Sequence, residues 1–356
     1  MNAIQEVKKR RIKNITVITA LIVALCIMSI VCLFVGVANM SVSECFDALM
    51  GNSTPVRVRI IWVARMPRML AAIVAGAGLA VAGLIMQTTL DNPMASPTTL
   101  GVSNAAVFGA NLAIIVFAGG FLNTGNNLSN FEVWVGNPLG TSATAFVFAA
   151  LSVLLILGLC TLRAFSPNVV VLAGMAVGAV WTAATTFLQF YATDVNLSAA
   201  VVWSFGDLDR ATYETVGIML ATVLVGVVFF ILMAWKYNAL LSGEATAKTM
   251  GVAVERLRFA SLLLSSLITA VCISFLGVIG FVGVICPHVI KRLLGQDHRV
   301  TIPATLLSGS VLLLCADTLA RTIGSGSALP VGAVTSMLGA PFFIAIIFFR
   351  KGSRKC

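Results

Sequence analysis

Three groups of residues carry polar chemistry in an otherwise apolar chain. The first is a set of arginines, Arg57, Arg59, Arg65, Arg68, Arg210 and Arg321, lying beside apolar runs in segments without a lysine. A guanidinium is a planar fork that pairs bidentately with carboxylates. These arginines therefore suit either an acidic partner or lipid phosphates reached by snorkelling. The second group is the polar stretch from Leu241-Ser242-Gly243-Glu244 to Gly251. Its pattern predicts a short helix over Ser242–Met250, with Ser242 as cap, Glu244 in the first turn and Gly251 as the stop. Such a helix serves either as a connector or as a docking knob for a soluble motor. The third group is the sparse polar set inside apolar runs: Gln87, Asp91 and Asn92 at the end of one run, and Asp317 with Arg321 in another. Spacing of i and i+4 on a helix permits an ion pair, and polar groups at membrane depth face protein or a water-filled path.

Catalytic sets are missing from this inventory. Gly243 to Thr249 is faintly like a phosphate loop but lacks the second glycine before Lys248. His288 and His298 are isolated, and Cys26, Cys32, Cys160, Cys272, Cys286 and Cys315 lie in apolar stretches with no Cys-x-x-Cys pair. This argues against a zinc site and for cysteines as packing residues. The expectation is a chain with no catalytic residue, no metal site and no cofactor.

The elements that position these groups follow from composition. Of the 356 residues, 59% are hydrophobic and 10% charged, with a mean hydropathy of +1.02. A soluble domain cannot cover so much apolar surface, whereas a bilayer solvates it. Apolar runs long enough to span fall at 15–38, 67–89, 99–121, 142–162, 168–191, 214–235, 258–283, 299–320 and 329–349, and a shorter amphipathic segment at 284–296 supplies a tenth helix. Both tails are basic: Lys8, Lys9, Arg10, Arg11 and Lys13 at one end, Arg350, Lys351, Arg354 and Lys355 at the other. The positive-inside tendency places both in the cytosol and makes the number of crossings even. Loops 90–98, 163–167, 236–257 and 291–299 then lie inside, and 39–66, 122–141, 192–213 and 321–328 outside. Every lysine falls inside. The net charge of +10 is accounted for by orientation rather than nucleic-acid binding.

Small residues recur within the runs. Gly76, Gly78, Gly83, Gly174 and Gly178 suit close helix packing in lipid. Two stretches, Gly83 to Gly101 and Gly277 to Gly295, share an apolar helix, a proline-bearing break and a terminal glycine. Under this topology they run in opposite directions, as in inverted-repeat transporters.

Several motifs occur in one order along the chain: Arg65-Met66-Pro67-Arg68, Gly76 to Gly83 with Gln87, Asn92-Pro93-Met94-Ala95-Ser96-Pro97, Leu100 to Ser103, Gly280 to Gly283, Pro287-His288, Asp297-His298-Arg299, Asp317, Ala320-Arg321, Leu329 to Gly332, and Gly339 to Phe343. Together they resemble the FecCD family of iron-chelate and cobalamin permeases over roughly residues 15–350. The resemblance implies an all-α membrane protein: about ten transmembrane helices in a type II ABC importer permease bundle, with a short cytosolic coupling helix. It implies a 1–14 cytosolic tail, a 15–350 permease domain and a 351–356 tail, in a bacterial cytoplasmic membrane. The implied partners are a second copy forming a homodimer, two ATP-binding subunits that hold ATP and magnesium, and an extracytoplasmic substrate-binding protein. The implied cargo is a ferric siderophore, haem or cobalamin. By the same resemblance, Arg65, Arg68 and Arg321 meet acidic groups of the binding protein. Leu241, Ser242, Gly243, Glu244, Ala247 and Gly251 couple to the ATPase. Asn92, Met94, Ser166, Pro167 and Asn168 form the cytosolic gate, where Pro167 and Asn168 replace small hydroxyl residues and Met94 replaces a leucine. A secondary transporter or channel is the alternative reading. It calls for paired ionisable residues at the midplane, which the spans largely lack.

Overall fold

The computed structural model describes residues 3–36, 40–98, 100–117, 138–161, 166–323 and 329–349, and among these the chain is helical without a strand. In chain order the helices are α1 (Ala3–Phe34), α2 (Val42–Leu49), α3 (Pro55–Thr89), α4 (Val102–Phe117), α5 (Pro138–Thr161), α6 (Pro167–Phe190) and α7 (Asp194–Ser204). They continue with α8 (Tyr213–Leu232), α9 (Ala234–Leu240), α10 (Glu244–Thr249), α11 (Val254–Leu276), α12 (Val282–Leu294), α13 (His298–Ile323) and α14 (Val331–Phe349). Among the described residues, seven helices are long and apolar enough to cross a bilayer: α1, α3, α5, α6, α8, α11 and α13. The shorter α4, α12 and α14 bring the bundle to about ten.

The bundle is organised around α3. This helix packs against α13, α11, α12 and α8, and its apolar window is 83% buried. Its Ala- and Gly-rich sequence explains why it occupies the centre. Lipid tails give apolar helices no reason to associate, so association depends on backbones approaching closely enough to gain dispersion contacts. At Gly76 an added Cβ would run into the Gly309 carbonyl of α13, and at Gly83 into the Gly283 backbone of α12. Beside the first crossing, the Ser310 hydroxyl donates to the Ile73 carbonyl at 2.8 Å.

Several boundaries differ from those read from hydropathy. α1 begins within the basic tail, because Lys and Arg are good helix formers. α3 starts at Pro55 and passes through wide i→i+5 turns over Ile60–Arg65. The segment expected as the loop 39–66 therefore holds α2 and the first turns of α3. Likewise α7 occupies the expected loop 192–213. The run 258–283 is interrupted: α11 ends at Leu276, Gly277 has φ +78° and Phe281 has φ +65°.

That interruption corrects the proline-bearing break expected in the second stretch. Pro287 lies inside α12. Proline has no N–H for the carbonyl four residues back, which here is Gly283. The Gln87 side-chain amide donates to that carbonyl at 3.4 Å, while Gln87 Oε1 accepts from Lys291 Nζ at 3.1 Å.

The α3–α13 crossing yields a test. Gly76→Val forces a side chain into backbone, and overpacking of this kind costs about 1–3 kcal/mol. Thermal unfolding of the purified protein in detergent is expected to fall for Gly76→Val, and to move little for Gly217→Ala, where an added Cβ meets open space.

Candidate functional site

Polar side chains gather at the two ends of the bundle. One end holds the buried Arg65, Arg68 and Arg321, and the other the lysines with the buried Arg258. α1 runs between them: its early turns lie near Gly295 and the end of α12, and its last carbonyls reach Arg65 and Arg321.

At the arginine end the organising group is Asp317 of α13, which has no exposed surface. Its Oδ1 accepts from Arg68 Nε at 2.7 Å and its Oδ2 from Arg321 at 2.7 Å. The i,i+4 pair expected from spacing is present, and Arg68 of α3 joins it. Arg68 also reaches Asp209 at 2.5 Å, in the connection between α7 and α8, with Asp207 at 3.9 Å.

Further guanidinium N–H groups of Arg65 and Arg321 go to backbone carbonyls and to the Cys45 and Cys32 sulfurs. Arg65 Nη1 donates to the Leu33 and Phe34 carbonyls at 2.7 and 3.1 Å, and Arg321 Nη1 to the Val35 carbonyl at 2.7 Å. These are carbonyls at the end of α1, which a helix leaves without intrahelical partners. A cation there also meets the negative end of the helix dipole. Arg65, Arg68 and Arg321 are accordingly 5%, 3% and 7% exposed. They lie beneath the surface and tie α1, α3, α13 and the α7–α8 connection together. The exposed arginine at this end is Arg59, with Arg57 half-exposed on Glu44 at 2.7 Å.

At the lysine end, α9 and α10 form the longest polar excursion. α10 is shorter than expected. Gly243, at φ +103°, occupies the cap position with no side-chain cap bond, so Ser242 is not the cap. The stop at Gly251 holds: with φ +81°, it donates from its N–H to the Lys248 carbonyl, while the Val252 N–H reaches the Ala247 carbonyl. These paired bonds, with the buried side chains of Ala247 and Val252, make a Schellman motif. Leu241, Ser242 and Gly243 are exposed, whereas Ala247 is buried. Glu244 pairs with Lys248 on its own helix and with Arg258 of α11, each at 2.8 Å. Those hydrogen bonds, Lys248's first, hold the Glu244 carboxyl below the usual carboxylate range. The pair is therefore formed at neutral pH and is lost only as pH falls through that depressed value.

The expected gate residues also sit at this end, in two turns. Asn92 and Met94 follow α3; the Asn92 carboxamide oxygen accepts from the Met94 N–H at 2.9 Å, and Met94 is exposed. Ser166 caps α6, accepting from the Val169 N–H at 3.4 Å, with Pro167 at the first helical position and Asn168 behind it. Proline at that position loses no helix bond and pre-sets φ.

The described residues contain no group of three or more His, Cys, Asp or Glu side chains able to hold a metal ion. The FecCD transport family model matches residues 21–349. The chain belongs to the FecCD transport family. It is 44% identical over 328 residues to a Methanocaldococcus jannaschii protein named as an ABC transporter permease, covering 92% of each chain. It is 34% identical over 329 residues to the hemin transport system permease of Yersinia pestis, covering 91% of this chain and 94% of that one. Among solved structures, an inward-facing transporter described as metal-chelate type superposes with a TM-score of 0.80 at 26% identity, over 94% of this chain and 99% of that one. This FecCD chain is thus a multi-span membrane permease, and both polar ends belong to a transport protein.

Three residues of the site lay outside the sequence reading. Arg258, 5% exposed, falls within the apolar run 258–283, where a lone cation near the start of a span is the signal that marks it. Asp207 and Asp209 lie in the expected loop 192–213, and no sequence signal pairs them with Arg68 across so many residues.

Removing the charge of Asp317 leaves two buried arginines without their shared anion. Asp317→Asn is expected to destabilise by about 3–5 kcal/mol. Asp209→Asn, on the exposed rim, is expected to cost about 0–1 kcal/mol. Thermal unfolding of both variants in the same detergent measures the difference.

Proposed function

We propose that this chain is the permease subunit of an ATP-driven importer and forms half of the translocation pathway of a homodimer. The lysine end is cytosolic, and both termini lie in the cytosol at the cytoplasmic membrane. Two ATP-binding subunits, which hold ATP and magnesium, dock there on α10 and its flanks Leu241 to Gly251. A substrate-binding protein delivers cargo to the arginine end. The observation that carries this reading is the short helix α10 with its flanks, where Leu241, Ser242 and Gly243 are exposed before it while Ala247 within it and Val252 after it root it in the bundle core. A mere connector needs no such root, whereas a helix that receives force does.

The lining of a dimer is supported by the faces left uncovered on α6 and α14, where Leu172, Phe190 and Met337 are 62%, 81% and 80% exposed. Asn92, Met94 and the Ser166 turn form the cytosolic gate in this reading. At the outer face, Arg57 and Arg59 meet carboxylates of the binding protein, and Arg65, Arg68 and Arg321 hold that face from below. The cargo is a ferric siderophore, with haem and cobalamin the other members of the same class. Relatives named as importing ferric citrate, hemin and cobalamin support a bulky chelate carried whole.

Proteoliposomes containing the permease and its ATPase subunits are expected to accumulate a ferric siderophore only with ATP and the binding protein. Uptake driven by an ion gradient without ATP would refute the reading. Arg59→Glu is expected to weaken binding-protein affinity more at low salt than at high salt; unchanged affinity at low salt removes Arg59 from the docking surface. Gly243→Val strains a left-handed backbone position and is expected to leave ATP hydrolysis running while uptake falls.

A further inference from the structure

We infer that Arg258 is a positioning residue that carries displacement of α10 to the turn after α3, where Asn92 and Met94 lie. The inference rests on the reading of α10 as the helix on which the ATPase docks.

The path is continuous in the structure. Arg258 lies one turn inside α11, with its guanidinium buried. Its Nη1 meets Glu244 Oε2 at 2.8 Å, and its Nε donates to the Thr89 carbonyl at 3.0 Å. Thr89 is the last residue of α3, and the reason its carbonyl is available lies in how that helix ends. Asp91 takes the left-handed position at φ +44°, its N–H bonds to the Thr88 carbonyl, and the Asn92 N–H bonds to the Gln87 carbonyl. That arrangement satisfies the carbonyls of the preceding residues and leaves the one at Thr89 over. Arg258 fills it, placing a cation at the negative end of the helix dipole.

Beyond Thr89 the chain is held locally. The Leu90 N–H bonds to the Met86 carbonyl, the Ala95 N–H to the Asn92 carbonyl, and the Met94 N–H to the Asn92 side chain. Residues 90–95 therefore follow the Thr89 carbonyl as one piece. α10, by contrast, is flanked by Gly243 and Gly251, both at positive φ and both with open space where a side chain would stand. It can tilt as a unit on those two residues. Lys248 sits on α10 and moves with it, whereas Arg258 sits on α11 and joins α10 to α3. A lysine at 258 keeps the charge but offers a point-like ammonium in place of two N–H groups aimed at separate acceptors.

The test uses the full complex with its ATPase subunits, with a cysteine-directed spin label at Met94→Cys and, separately, at Ala245→Cys. Arg258→Lys is expected to assemble and hydrolyse ATP while uptake falls at least about tenfold, the scale of one charge-assisted hydrogen bond. The nucleotide-dependent spectral change is expected to persist at position 245 and to vanish at position 94, which a purely structural role would not produce. Should Arg258→Lys fail to fold, Glu244→Gln breaks the same link from its exposed end and is expected to give the same split between the two labels. A nucleotide response that survives at position 94 in Arg258→Lys or Glu244→Gln overturns the relay alone. A permease with native Arg258 and Glu244 that shows no response at position 245 overturns the docking assignment and the relay with it.

Discussion

A helix that stops inside or at the edge of a bilayer leaves up to four carbonyls without partners, and lipid offers them no hydrogen bond. The architecture of this permease answers that constraint repeatedly with side chains from other helices. Arg65 and Arg321 take the last carbonyls of α1, and Arg258 takes the Thr89 carbonyl of α3. Gln87 takes the carbonyl that Pro287 frees in the middle of α12. Each of these is charged or polar and well buried, and each joins two elements that are far apart in sequence. Satisfying helix ends and holding the bundle together are here one and the same set of bonds.

The arginines at the lysine-free end follow from this. Six arginines beside segments expected outside run against the positive-inside tendency. The structure shows that three of them lie buried: Asp317 is shared by Arg68 and Arg321, Asp209 also pairs with Arg68, and backbone carbonyls receive N–H groups of Arg65 and Arg321. Guanidinium suits this work because its several N–H groups reach separate acceptors at once, as Arg321 does with the Asp317 carboxylate and the Val35 carbonyl.

The same chemistry sits at the lysine end, at the base of the short helix α10. There it is arranged differently. The buried network around Asp317 ties helices that packing already fixes. Arg258 instead joins a bundle helix to a short helix mounted between two glycines. A bonded network at one end and a short helix held between two glycines at the other are the features on which the proposed docking of an ATPase rests.

Much of this was legible in the sequence because it follows from local composition. The apolar runs set the membrane class and about ten helices, the ordered motifs set the family, and the spacing of Asp317 and Arg321 set their ion pair. Gly251 could be read as a helix stop because it is a property of one residue and its neighbours. The tertiary structure alone decided the rest. Hydropathy could not end α11 at Leu276, since Val278, Ile279 and Phe281 are as apolar as the helix before them and only backbone dihedrals separate the two. Pro287 marked a break in the sequence but not in the fold, because Gln87, from another helix, serves the carbonyl that proline abandons. Arg65, Arg68 and Arg321 meet helix-end carbonyls and Asp317, groups whose unmet demand appears only when the helices are assembled. A sequence records which side chains can bond; which carbonyls are left needing them depends on where each helix ends and what lies beside it.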